Sequence, residues 1–234
     1  MKKFKIAERY KDLKKLNILI IPDGNRRWAT QRGRTFGYGY EQMPRVINKT
    51  INGLLKLGIK KLYFWGNSIK NLERPKEQIT SFWGKYLKIY DQSNLKKKLR
   101  IHILGNKDLL FGDFKEKFKK LEEKTKHNQG FDLYLFLNYS TMDDLSRAYE
   151  KSKEKGFSRL LKNLDEPDNL HLVIRTGGDK RLSGFMPLKS PNVHIYFIKE
   201  FFPELSTKKI ESIIWTFLNV DLRYGLDQKQ AWKN

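Results

Sequence analysis

The sequence predicts an α/β fold: a single domain with a central parallel sheet of about six strands surrounded by helices. Three observations carry this expectation. Six short β-rich runs recur along the chain. Most are continuously apolar rather than alternating, as suits strands covered on both faces. Amphipathic helical patterns lie between them, and strand alternating with helix means a largely parallel sheet.

The elements follow in order. The basic opening, residues 1–15, reads as a short amphipathic helix with either Phe4 and Ile6 or Tyr10 and Leu13 on its apolar side. "NILIIP" from Asn17 is the first strand, "KLYFWGNS" from Lys61 the second and "LRIHILG" from Leu99 the third. "FDLYLFLNYS" from Phe131, "LHLVIRTG" from Leu170 and "VHIYFIKE" from Val193 complete the set. The stretch from Tyr40 to Gly58 repeats apolar residues at Val46, Ile47, Ile51, Leu54 and Leu55, and Gly58 ends it. Further helices are expected after Pro75, over 108–126, over 141–156 and over 206–218, with Thr141 and Ser206 as N-caps. Residues 156–169 read as a short helix and a loop. With no internal repeat and no Pro/Gly/Ser linker, one domain over residues 1–234 is the simplest reading.

Composition bounds the function. The chain has 234 residues, 39% of them hydrophobic, which is enough for a sizeable core. Its net charge of +22 attracts polyanions, anionic membranes or phosphorylated small molecules without choosing among them. Much of that charge sits in Lys-rich runs that read as solvated helix faces. The absence of cysteine excludes disulfides and thiolate metal sites. No apolar run approaches the roughly 20 residues of a membrane span, and the N-terminus lacks the apolar region of a secretory signal. Cytoplasm is the default. No nucleic-acid-binding motif accompanies the charge, so no nucleic-acid partner is expected.

In open α/β sheets ligands bind beyond the carboxyl ends of the strands. Three strands end in polar clusters there. "PDGNRRW" brings Asp23, Gly24, Asn25, Arg26, Arg27 and Trp28 directly after an apolar strand. Backbone N–H groups and guanidinium forks suit phosphate, but Asp23 would repel it unless a divalent cation sat between them. "GNSIKNLERP" adds Ser68, Asn71 and Arg74. "VIRTGGDKRLSGF" adds Arg175, two glycines, Arg181 and Ser183, a composition able to form an anion-binding concavity. Three such clusters point to more than one phosphate group. The aromatics Trp28, Phe36, Tyr38, Tyr40, Phe64, Trp65, Phe82 and Trp83 suit a hydrocarbon tail, or the core. No Walker-type loop or G-x-G-x-x-G supports nucleotide binding.

These motifs resemble those of the cis-prenyltransferases, the undecaprenyl diphosphate synthase superfamily. "IPDGNRRWA", "NSIKNLERP" and "LVIRTGGDKRLSGF" with "HIYF" and "FFPEL" are similar to its signatures, in order, from about Leu16 to Gly225. The resemblance implies a parallel sheet of about six strands, usually in a homodimer. It implies that an allylic diphosphate ionises and that a second prenyl diphosphate attacks the cation. Matched by motif, Asp23 is the carboxylate that handles Mg2+ and diphosphate. Gly24, Asn25, Arg27, Arg34 and Arg74 match the allylic diphosphate site, with Arg26, Trp28 and Tyr38 beside it. Ser68 and Asn71 match positions near the reacting carbons and the proton abstraction. Arg175, Arg181 and Ser183 match the second diphosphate site.

Four positions depart from the family pattern. Pro22 replaces a Met, Tyr38 a His, Lys70 a Glu, and His194 a metal-binding Glu. Mg2+ prefers oxygen ligands, so either metal binding weakens, His194 and Asp179 share the task, or the reaction is lost. "PDG-x-RRW", "GY-x-x-M" and "FMPLKSP" resemble the lavandulyl-type branch, which joins two dimethylallyl diphosphates irregularly. The expectation is therefore head-to-middle coupling to a short product. The alternatives are a regular cis-polyprenyl diphosphate synthase that adds isopentenyl diphosphate, and a non-catalytic partner subunit.

Overall fold

The computed structural model describes residues 13–152, 156–167 and 169–220. Most of the expected N-terminal helix therefore lies outside the described residues. Of that segment, Leu13–Lys15 form a single 3-10 turn.

Six strands form one parallel sheet: β1 (Ile18–Ile21), β2 (Lys61–Trp65), β3 (Leu99–Gly105), β4 (Phe131–Leu137), β5 (Leu172–Arg175) and β6 (His194–Phe197). Their order is β3-β4-β2-β1-β5-β6. All pairings are parallel, with Ile18 level with Leu172 and Leu172 level with His194. The chain leaves β1 toward β2 on one side and β5 toward β6 on the other. The crevice between the carboxyl ends of β1 and β5 is thus a topological switch point, where such sheets bind ligands.

The helices are α1 (Asn25–Thr30), α2 (Phe36–Glu41), α3 (Met43–Lys56), α4 (Lys76–Asp91), α5 (Phe114–Thr125), α6 (Thr141–Glu150), α7 (Phe157–Asn163) and α8 (Thr207–Leu218). The predicted helix from Tyr40 is divided, because Pro44 opens α3 at its first turn. Ser206 caps α8 by accepting the Lys209 N–H, as expected. The cap of α6 is Ser140 rather than Thr141. The Thr141 hydroxyl instead accepts the Met186 N–H at 2.7 Å, which ties α6 to the loop after β5.

The two faces of the sheet differ. Ile18, Ile20, Leu62, Phe64, Ile101, Leu133, Leu135, Leu172 and Ile174 face a large core built with α3, α4, α5 and α8. Period-two alternation puts Leu19, Ile21, Tyr63, Trp65, Phe136 and Val173 on the other face. There they pack on Tyr139, Leu170 and Phe185 from connecting segments. β3 and β4 consequently alternate in burial instead of being apolar throughout, with half-buried Arg100, His102, Asp132 and Tyr134 on the second face. Phe64 and Trp83, candidates for the tail pocket, belong to the larger core.

Candidate active site

β1 is fully buried and stops at Pro22, which has no N–H to continue the ladder. The next residue is Asp23, placed by the strand at the crevice mouth. Gly24 follows with φ 93°, and a Cβ there would lie 2.2 Å from the Phe201 ring. Only glycine permits both this left-handed turn and the close approach of that ring. Asn25 donates to the Pro22 carbonyl at 2.9 Å, and its own amide oxygen is buried with no hydrogen-bond partner.

β5 delivers Arg175 to the same point from 152 residues away. Arg175 is 2% exposed. It donates to Asp23 Oδ2 at 2.5 Å, to Ser183 Oγ at 2.7 Å and to the Arg181 carbonyl. Its Nε is buried without a partner. Arg27 approaches Asp23 at 3.4 Å. Asp179 lies among three guanidinium groups, at 3.6 Å from Arg27, 3.8 Å from Arg175 and 2.9 Å from Arg181. Gly177, at φ 88°, lets its backbone pass beside Arg27 and Asp23, where a Cβ would come within 2.9 Å of the guanidinium. The first and third sequence clusters therefore form one cationic site.

The second cluster forms the facing wall. Beyond β2, Ser68 pairs as a parallel bridge with Tyr139. Buried Asn67 and Asn138 hold this turn through an amide–amide hydrogen bond of 2.8 Å. Asn71 accepts the Ser68 N–H at 3.2 Å in a capping box. Arg74 donates to the Tyr40 hydroxyl at 3.3 Å.

Together these residues enclose a cavity of about 1030 Å³ lined by Asp23, Gly24, Asn25, Arg26, Arg27, Ser68, Asn71, Arg74, Arg175, Arg181 and Ser183. Its apolar wall contains Phe36, Tyr40, Met43, Trp65, Phe82 and Tyr86. Tyr40 packs on Phe82 at 5.9 Å and Phe82 on Tyr86 at 6.2 Å between ring centroids. Tyr86 is held further by its hydroxyl, which donates to the Gly66 carbonyl at 2.5 Å. Burial pushes the Tyr40 and Tyr86 phenols upward, so both stay neutral at physiological pH.

Three expected substrate-binding residues, Trp28, Arg34 and Tyr38, do not line this cavity. Trp28 and Tyr38 stack on each other at 5.6 Å, flanked by Arg32 over Trp28 and Arg34 over Tyr38. That stack joins α1 to α2 beside the cavity rather than in its lining. His194 is also separated from Asp23. It opens β6 level with Ile18, while Asp23 lies beyond Ile21 at the other end of the sheet, so the two are separated by at least about 10 Å along the strand direction. Within one chain His194 therefore cannot join Asp23 around a metal ion; its ring packs edge-on against Phe217. Asp179 is at the cationic site but engaged by arginines.

Sequence reading gave no role to Thr176, Phe201 and Phe202, which buttress Asp23 and Gly24. Phe202 N–H donates to the Asp23 carbonyl at 3.0 Å. The motif "FFPEL" carried the available signal.

Residues 21–225 match the family described as "Putative undecaprenyl diphosphate synthase". An isoprenyl transferase of Campylobacter jejuni is 30% identical over 216 residues, covering 89% of this chain and 97% of that one. The structure of a "probable undecaprenyl diphosphate synthase" from the same organism superposes with a TM-score of 0.74 at 26% identity, covering 89% of this chain and 97% of that one. A lavandulyl diphosphate synthase from Lavandula x intermedia, solved with dimethylallyl diphosphate, shares the fold at a TM-score of 0.83 and 22% identity, covering 92% and 100%. The chain belongs to the undecaprenyl diphosphate synthase family, and it is a prenyltransferase.

Proposed function

We propose that the enzyme joins two short prenyl diphosphates, coupling dimethylallyl diphosphate irregularly to a second dimethylallyl unit in a lavandulyl-type, ten-carbon product. The observation that carries this reading is the packed aromatic wall of Tyr40, Phe82 and Tyr86 at the apolar side of the cavity. Such a wall suits a short tail and blocks a growing one. Its neutral rings also suit an allylic cation.

The chain's own groups then divide the work. Arg26, Arg27 and Arg74 hold the diphosphate of the ionising substrate, and Gly24 and Asn25 shape the backbone around it. Arg175, Arg181 and Ser183 hold the second diphosphate. The first set opposes the charge that develops on the departing diphosphate, a contribution that is the largest in many such sites, while the second diphosphate stays on the product. Ser68 and Asn71 stand on the facing wall, beside the reacting carbons, where a proton leaves the new skeleton.

Mg2+ fits the donor set through Asp23. Among the described residues no group of three or more His, Cys, Asp or Glu is arranged as a metal cage. Mg2+ needs none, since it is commonly bound by one or two carboxylates together with substrate phosphates and water. Bound there, it would neutralise diphosphate charge.

Regular elongation with isopentenyl diphosphate is the second reading, favoured by the isoprenyl transferase name of the 30% identical relative. A homodimer is proposed as well. Met142 and Tyr149 of α6, Met186 and Leu188 of the loop bonded to it, and Phe197 of the edge strand β6 are exposed apolar residues that a second copy would cover. No described helix is long and apolar enough to cross a membrane, and a cytoplasmic enzyme is proposed.

The test is mass spectrometry of products from dimethylallyl diphosphate and Mg2+, with and without isopentenyl diphosphate. A ten-carbon product from dimethylallyl diphosphate alone is expected, abolished in Asp23→Ala with the circular dichroism spectrum unchanged. A long polyprenyl series formed only with isopentenyl diphosphate would establish the regular reaction instead.

A further inference from the structure

We infer that Thr176 is a positioning residue whose single hydroxyl clamps the backbone of Asp23 and thereby aims its carboxylate into the diphosphate site. The inference rests on the proposed role of Asp23.

Asp23 stands where the sheet can no longer hold it. The β1–β5 ladder ends with Ile21 level with Arg175. Pro22 contributes no donor, and Thr176 N–H closes the last rung on the Ile21 carbonyl at 3.2 Å. Beyond that rung the backbone N–H and C=O of Asp23 have no strand partner. The Thr176 side chain supplies both missing contacts. Its Oγ1 accepts the Asp23 N–H at 2.8 Å and donates to the Asp23 carbonyl at 2.7 Å. A second acceptor for the same proton, the Ile21 carbonyl, is at 3.5 Å, so the shorter contact takes it. A hydroxyl is suited to this because it donates and accepts at once. Thr176 is completely buried, so water does not compete.

One side-chain atom thus grips Asp23 on both sides of its Cα, and its two backbone dihedrals cannot change without breaking a bond to Thr176. The carboxylate inherits that rigidity. It bonds the Gly24 N–H at 2.6 Å and Arg175 at 2.5 Å. These contacts fit only while the backbone keeps its place.

The clamp is separable from the fold. Without the hydroxyl, Asp23 N–H retains the Ile21 carbonyl at 3.1 Å, and Asp23 C=O retains the Phe202 N–H at 3.0 Å. Neither group is orphaned, so the fold survives while the aim of the carboxylate loosens. Hydrogen-bonding partners behind a ligating group commonly contribute 10–100-fold to affinity or activity.

The experiment compares Thr176→Val, which keeps shape and removes the hydroxyl, with Thr176→Ser, which keeps the hydroxyl and removes a methyl. Two readouts are taken: calorimetric binding of inorganic pyrophosphate with Mg2+, and kcat with KM for prenyl transfer. Thr176→Val is expected to bind pyrophosphate about tenfold more weakly and to lose about tenfold or more in kcat. Thr176→Ser should stay within about threefold of the parent on both. Two results would overturn the clamp: Thr176→Val matching the parent, or Thr176→Ser being as impaired as Thr176→Val, which would assign the effect to packing. If the parent itself transfers no prenyl group, the functional reading fails, and pyrophosphate binding still decides the clamp.

Discussion

Arg175 offers the sharpest test of the cationic site, because its surroundings allow the cost of losing it to be worked out. Arg175→Met keeps an unbranched stem in the same channel and removes the guanidinium. Three contacts go with it: Asp23 Oδ2 at 2.5 Å, Ser183 Oγ at 2.7 Å and the Arg181 carbonyl. Breaking a fully buried ion pair costs about 3–5 kcal/mol. Asp23 is 29% exposed and keeps Arg27 at 3.4 Å and the Gly24 N–H at 2.6 Å, so its share is smaller. Relief of repulsion among Arg27, Arg175 and Arg181 reduces it further. A stability loss of about 2 kcal/mol is expected in urea unfolding. The effect on pyrophosphate is separate. One charge-assisted contact is worth about 1.5–3 kcal/mol, or about 10–150-fold in Kd measured by calorimetry. Arg175→Lys keeps the charge without the fork and should fall between parent and Met. Pyrophosphate affinity within twofold of the parent in Arg175→Met would refute the assignment of this cluster to a diphosphate.

Two further predictions address charges that the site and the sheet hold in place. Asp179→Asn removes the carboxylate that lies among Arg27, Arg175 and Arg181. Metal-free pyrophosphate should then bind about fivefold more tightly, because it no longer competes with an internal anion; weaker binding in the presence of Mg2+ would instead make Asp179 a metal ligand. On the second face of the sheet, burial pushes the Asp132 carboxyl upward, but the His102 and Arg100 hydrogen bonds outweigh it and bring it down to about 2. A carboxyl lowered on folding stabilises the native state above its unfolded value near 4 and loses that contribution as pH falls toward 2. After discounting for the partial exposure of the pair, Asp132→Asn should cost about 1 kcal/mol at pH 7, and the difference should vanish by about pH 2. An equal difference at both pH values would contradict the ion-pair account.

The strands were legible because buried parallel strands leave short apolar runs that few other elements mimic. The anion clusters were legible because each lies within a dozen residues of a strand end. What could not be read locally is which clusters meet. Nothing near Asp23 in the chain predicts Arg175, 152 residues on; the pairing follows from β5 lying beside β1, which only the strand order reveals. Direction was equally hidden. The resemblance sets Trp28 and Tyr38 beside the first diphosphate site, yet both rings stack on each other outside the cavity lining.

His194 shows the same limit from the other side. A motif match put it among the metal ligands, but a parallel sheet has a binding end and a non-binding end, and His194 opens its strand at the second. A substitution that would be disabling beside Asp23 is, within one chain, remote from it. On the proposed function, the handling of Mg2+ and diphosphate then rests on Asp23 and depends on what aims its carboxylate. The groups that do so are Thr176, the Phe202 N–H, Arg175 and the Gly24 turn pressed by Phe201. A carboxylate in that role tolerates little slack, because a displacement of about 1 Å can cost on the order of a hundredfold in rate. The bonds that converge on the Asp23 backbone from Thr176, just beyond β5, and from the loop at Phe201 suit that requirement.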